Sequence, residues 1–132
     1  MSKHIAPPHV VQPQVVQPHD IQPQVVQQGL QLSFYCHQRA RHNGSLVFEW
    51  LLQQARHLGI GGGSVFRATA GFGRHGVLHQ EQFFDLADDL PVKVEFLLHE
   101  EQAQTLLEAV QSSGVDVLYV RIPVSFAVLG KL

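Results

Sequence analysis

An α+β sandwich, with both helices on one face of an antiparallel sheet, is the fold this sequence predicts. Three observations predict it. Segments 30–37 and 92–98 alternate apolar and polar residues at the period of a half-buried strand. Segments 45–58 and 100–113 repeat apolar residues at helical spacing, and Gly59 and Gly114 follow them as stops. The elements fall in the order β-α-β-β-α-β, the ferredoxin-like split βαβ.

The chain has 132 residues, 45% of them apolar, and a mean hydropathy of +0.01, which suits one globular domain plus an extension. The extension is residues 1–28. Its units VVQPQ (10–14), VVQPH (15–19), DIQPQ (20–24) and VVQQG (25–29) repeat every five residues. Proline at 13, 18 and 23 removes amide donors and fixes φ, so neither a helix nor a central strand is expected there. A polyproline-like or disordered arm is the expectation, either a plain tail or a clamp lying along a neighbouring subunit.

The domain is expected over residues 29–132. In its first strand Leu30, Leu32, Phe34 and Cys36 point one way, and Gln31, Ser33, Tyr35 and His37 the other. RARHNG (39–44) reads as a polar loop, and Ser45 as the N-cap of a helix ending at Gly59. Val47, Leu51, Ala55 and Leu58 line one side of that helix, with Phe48 and Leu52 alongside. A second strand is expected from Ser64 to Ala70 and a third from Val92 to Leu98.

Glu100 and Glu101 open the second helix, where carboxylates meet the positive end of the helix dipole. Ala103, Leu106, Leu107 and Val110 give its buried stripe. The last strand spans Val117–Val124, and Pro123 marks it as an edge. The sheet face away from the helices should carry Tyr35, His37, Lys93, Glu95, Leu97, Tyr119 and Arg121, with Arg67 nearby depending on register. Such a face is either solvated or paired across a symmetric interface.

Composition excludes several function classes. The net charge of −2 comes with scattered Lys and Arg, so no basic stripe points to nucleic acid. No apolar run approaches a membrane span and no signal segment is visible, so direct membrane insertion is not expected and the cytoplasm is the expected compartment. The single cysteine, Cys36, lies on an alternating apolar run, where a buried inert thiol is expected instead of a nucleophile. No catalytic triad, carboxylate pair or Cys-His dyad can be assembled on these elements, so no enzymatic activity is expected.

AGFGRHG (70–76) has the spacing Gly71-x-Gly73-x-x-Gly76 of a dinucleotide loop. That chemistry needs a helix next, in a parallel crossover; a short, polar VLHQEQFFDLADDLP (77–91) follows instead. Gly61-Gly62-Gly63-Ser64 lacks the Gly-Lys-Ser/Thr of a phosphate loop and leads into a strand, so it reads as a helix stop.

GIGGGSVFRATAGFGRHG (59–76), followed by LPVKVEFLLHEEQAQTLL (90–107), resembles the PII-like superfamily, and more closely the short family catalogued as domain of unknown function 190. The resemblance spans roughly residues 30–130. It implies a ferredoxin-like fold, a homotrimer, and a mobile T-loop over residues 75–89 that contacts a protein partner. It also implies a ligand, commonly an adenine nucleotide, in clefts between subunits at the base of that loop. Ser64, Gly71, Phe72, Gly73, Arg74 and His75 are the implied ligand-binding residues. Relatives of this type are linked to small-ion transport, which implies a membrane transporter as one kind of partner. His75 stands where PII proteins carry glutamine, and SSGVDV (112–117) where they carry a lysine-containing phosphate loop. The resemblance therefore extends to the ligand class without the full set of PII phosphate donors.

Nine histidines leave a second chemistry open. His75 and His79, at i and i+4, with Asp85 could hold a divalent metal; the alternative is that these side chains are solvated. The reading reached from sequence is a regulatory, PII-like ligand-binding module, with a metal-binding trimer or a purely structural oligomer as alternatives.

Overall fold

The computed structural model describes residues 25–72, 78–80 and 90–131, with 78–80 described by backbone alone. Val26–Phe126 forms one compact unit, and every element below belongs to it. These elements are β1 (Gln27–His37), β2 (Arg41–His42), β3 (Ser45–Leu46), α1 (Val47–His57), β4 (Gly63–Arg67), β5 (Ala70–Phe72), β6 (Leu78–Gln80), β7 (Pro91–Leu98), α2 (Glu100–Ser113) and β8 (Leu118–Phe126). The main sheet has the order β4-β7-β1-β8, all neighbours antiparallel. This is the ferredoxin-like sandwich, and β8, with Pro123, is an edge as expected.

The core follows the two periods in the sequence. Leu30, Leu32, Phe34 and Cys36 of β1 and Val92, Val94, Phe96 and Leu98 of β7 are buried. They pack in one cluster with Val47, Leu51 and Ala55 of α1 and Ala103, Leu106 and Val110 of α2. Both helices therefore cover the same sheet face. Phe34 and Phe96 meet edge to face with centroids 6.3 Å apart, a favoured aromatic geometry. Gly114 ends α2 with φ 77°, a left-handed conformation that glycine adopts without steric cost.

Several expectations need correction. Ser45 does not cap α1: it pairs with His42 in a small hairpin, and Leu46 precedes the helix without a side-chain cap bond. The polar loop is that hairpin. Asn43 (φ 50°) and Gly44 (φ 84°) form its turn, the left-handed pair that matches strand twist in a two-residue connection. The second strand is not continuous to Ala70. β4 stops at Arg67, the Ala68 amide donates to the Pro91 carbonyl at 2.9 Å, and Ala70–Phe72 pairs instead with Leu78–Gln80. Part of the expected loop is thus a ladder in which Gly71 faces His79.

The largest correction concerns β8. Tyr119 lies opposite Phe34 and Arg121 opposite Leu32, both core residues, so Tyr119 and Arg121 belong to the helix side. Tyr119 is 6.4 Å from the Phe34 ring, and Arg121 pairs with Glu100 at the start of α2. Arg67 is opposite Val92 and so shares the core-side alternation, not that of the open face.

Candidate functional site

Antiparallel register sorts the open face into rows, because residues directly opposite one another point to the same side. The row nearest the β4–β5 junction reads Phe66, Lys93, Tyr35, Leu118 across four strands. The next reads Ser64, Glu95, Ser33, Val120, and the third carries Leu97, Gln31 and Ile122. Neighbouring strands are about 4.8 Å apart, so Lys93 stands between two aromatic residues.

Polar contacts converge at the centre of this face. Lys93 Nζ lies 4.8 Å from the Phe66 ring centroid and 3.1 Å from Glu95 Oε1. The Gln31 side-chain amide donates to the same Glu95 oxygen at 2.8 Å. Ser33 is buried beside them. Around this cluster the face is apolar and open: Leu118 is 60% exposed and Leu97 50%, with Ile122 and Val120 also exposed. A contiguous apolar patch around a few polar groups is the composition of a binding surface.

Beside the first row is a hollow of about 240 Å³ lined by Tyr35, Phe66, Arg67, Ala68, Pro91, Val92 and Lys93. Among the described residues the lining contains two cations, Arg67 and Lys93, and no carboxylate. Pro91 connects the hollow to the glycine motif, since a β-carbon on Gly71 would lie 3.2 Å from its ring. A second, larger groove of about 460 Å³ lies on the helix side, lined by Leu52, Arg56, Ile60, Gly61–Gly63 and Phe96 among others.

Of the residues expected to bind ligand, Gly71 and Phe72 are on β5 near this hollow, with Phe72 exposed. Ser64 is one row away, opposite Glu95. Gly73, Arg74 and His75 lie outside the described residues. So does Asp85 of the metal set; His79 is described only by its backbone, opposite Gly71. Sequence reasoning put Tyr35 and Lys93 on the open face without assigning them to the ligand, and did not single out Phe66. Their alternation was legible; the row that joins them depends on strand pairing. Burial pushes the Cys36 thiol up to about 11, which keeps it protonated and unreactive at neutral pH.

The fold is PII-like. It matches the structure of a nitrogen regulatory PII-like protein from Thiomonas intermedia K12, bound to ADP, AMP and bicarbonate, with a TM-score of 0.60 and 15% identity over 77% of this chain and 91% of that one. It also matches a putative PII-like signaling protein from Thermus thermophilus, with a TM-score of 0.56 and 18% identity over 77% and 92% of the two chains. Within that class, the chain belongs to the family domain of unknown function 190, described as Uncharacterized ACR, which matches residues 29–125. A UPF0166 protein from Aquifex aeolicus (strain VF5) is 32% identical over 80 residues, 61% of this chain and 76% of that protein.

Proposed function

We propose that this chain is a PII-like regulatory module without enzymatic activity. It takes a small ligand of the adenine-nucleotide class at clefts between the subunits of a homotrimer. The observation that carries this reading is the cationic, aromatic hollow of Tyr35, Phe66 and Lys93 beside Gly71 and Pro91, at the edge of a broad apolar sheet face. A second and third copy covering that face would remove its apolar side chains from water and turn each hollow into a cleft. The ADP, AMP and bicarbonate bound by the Thiomonas protein support the ligand class.

Gly71, Phe72, Gly73 and Arg74 would form the moving base of the cleft, and residues 75–89, beginning with the candidate ligand residue His75, the segment that meets a protein partner. Differential affinity of the ligand for two loop conformations is the required mechanism. A cytoplasmic module that binds and releases a membrane transporter fits this reading. Among the described residues no helix is long and apolar enough to cross a membrane.

Size-exclusion chromatography with light scattering, followed by calorimetric titration with ADP, AMP and bicarbonate, tests the proposal. A trimer that binds at least one of these is expected. A monomer at micromolar concentration removes the clefts and overturns it. The same titration with Zn²⁺, comparing wild type with His79→Ala, tests the metal reading of His75, His79 and Asp85; unchanged stoichiometry would sink that alternative.

A further inference from the structure

We propose that Lys93 is an exchangeable cation: it binds the acidic group of the ligand between Phe66 and Tyr35, and gives up Glu95 to do so. The inference rests on the reading that the hollow holds a ligand, and it names the residue that recognises the charge.

Three features of the cluster support the exchange. First, the Lys93–Glu95 pair is not sealed from solvent in the single chain. Its side chains are 33% and 24% exposed there, so the pair is open to an incoming anion from the side of the hollow. Second, Glu95 does not lose all support when Lys93 leaves. The oxygen that accepts from Lys93 also accepts from Gln31, so the carboxylate keeps a donor already in position. Third, the lysine already lines the hollow, and its ammonium lies against the Phe66 ring face. That contact holds the cation near the ring without offering it a competing carboxylate. Among the described residues no acid lines the hollow, and an anion entering it meets Lys93, the rings of Phe66 and Tyr35 and the small apolar surfaces of Ala68, Pro91 and Val92.

The exchange has a consequence for assembly. Glu95 lies in the row of Ser64, Ser33 and Val120, in the middle of the open face. With Lys93 engaged by ligand, the Glu95 charge is no longer neutralised from within its own subunit. Ligand occupancy would therefore alter the electrostatics of the face that meets the neighbouring copy, linking the cleft to subunit contacts.

The test is calorimetry on the full chain with ADP, and with adenosine as the uncharged control. Lys93→Met should weaken ADP binding about tenfold or more and leave adenosine unchanged. Glu95→Gln removes the competitor and should tighten ADP about threefold. Lys93→Arg, which keeps the charge, should retain binding, and it decides the matter together with Glu95→Gln if Lys93→Met does not fold. ADP affinity that survives Lys93→Met, equal losses for ADP and adenosine, or weaker ADP binding in Glu95→Gln would each overturn this inference while leaving the ligand cleft standing. A wild-type protein that binds neither ADP, AMP nor bicarbonate overturns the cleft itself and this inference with it.

Discussion

Gly63 lies directly opposite Phe96, and a β-carbon on it would be 2.5 Å from the Phe96 ring. The ring is a buried member of the core, and Leu52 closes the other side at 3.1 Å. The third glycine of GGGSV is therefore a packing requirement of the β4–β7 pair. Gly63→Ala should cost about 1–3 kcal/mol, the usual penalty for overfilling a packed site. Gly62→Ala meets nothing within 4 Å and should change stability by less than about 0.5 kcal/mol. Urea denaturation of the two variants checks the contrast.

The register of β8 predicts which residues govern assembly. Ile122 is on the open face, whereas Arg121 is on the helix side beside Glu100. Ile122→Glu should convert the proposed trimer to a folded monomer, read by light scattering and circular dichroism. Arg121→Ala should leave the assembly intact and cost less than about 1 kcal/mol, because its ion pair is largely exposed. The reverse pattern would mean that the other face of β8 meets the partner subunit.

Cys36 gives a pH prediction with a definite sign. Burial raises the thiol from 9.0 to about 11, so the folded state holds its proton more tightly than the unfolded chain. The associated stability is fully present below pH 9 and is lost as pH rises toward 11. Melting curves across that interval should fall more steeply for the wild type than for Cys36→Ala. Native protein should also react slowly with iodoacetamide at neutral pH and rapidly once unfolded in urea.

The repeat arm can be tested cleanly only up to β1. Because β1 begins at Gln27, a deletion meant to remove the arm should stop at residue 24. The shortened chain is expected to keep a cooperative melt and the same oligomeric state, measured by calorimetry and light scattering. Dissociation on deletion would favour the clamp reading of the VVQP units.

Much of the fold was legible because its signals are local. The alternation of β1 and β7, the stripe Ala103–Leu106–Val110, the left-handed Gly114 and the edge residue Pro123 each depend on a few neighbouring residues. The 43–44 turn was also readable, since Asn-Gly is a strong hairpin signal, but the run of polar residues around it reads equally as a loop. The glycine motif was placed correctly outside a dinucleotide crossover, because no suitable helix follows it in the sequence.

What the sequence by itself determined is the order of the two helices and the four strands of the main sheet, the two-layer core and the absence of a parallel crossover at AGFGRHG. Tertiary structure alone decided the faces of β8 and the composition of the site. Leu118, Val120 and Ile122 alternate with Tyr119, Arg121 and Pro123, and every one of these but Arg121 has apolar surface to offer either side. A strand that is apolar on both faces carries no internal sign of which face turns toward the helices; only pairing with Phe34 and Leu32 fixes it. The same holds for Phe66, Lys93 and Tyr35. They are far apart in sequence and become one row because three strands pair in one register, which no local period encodes.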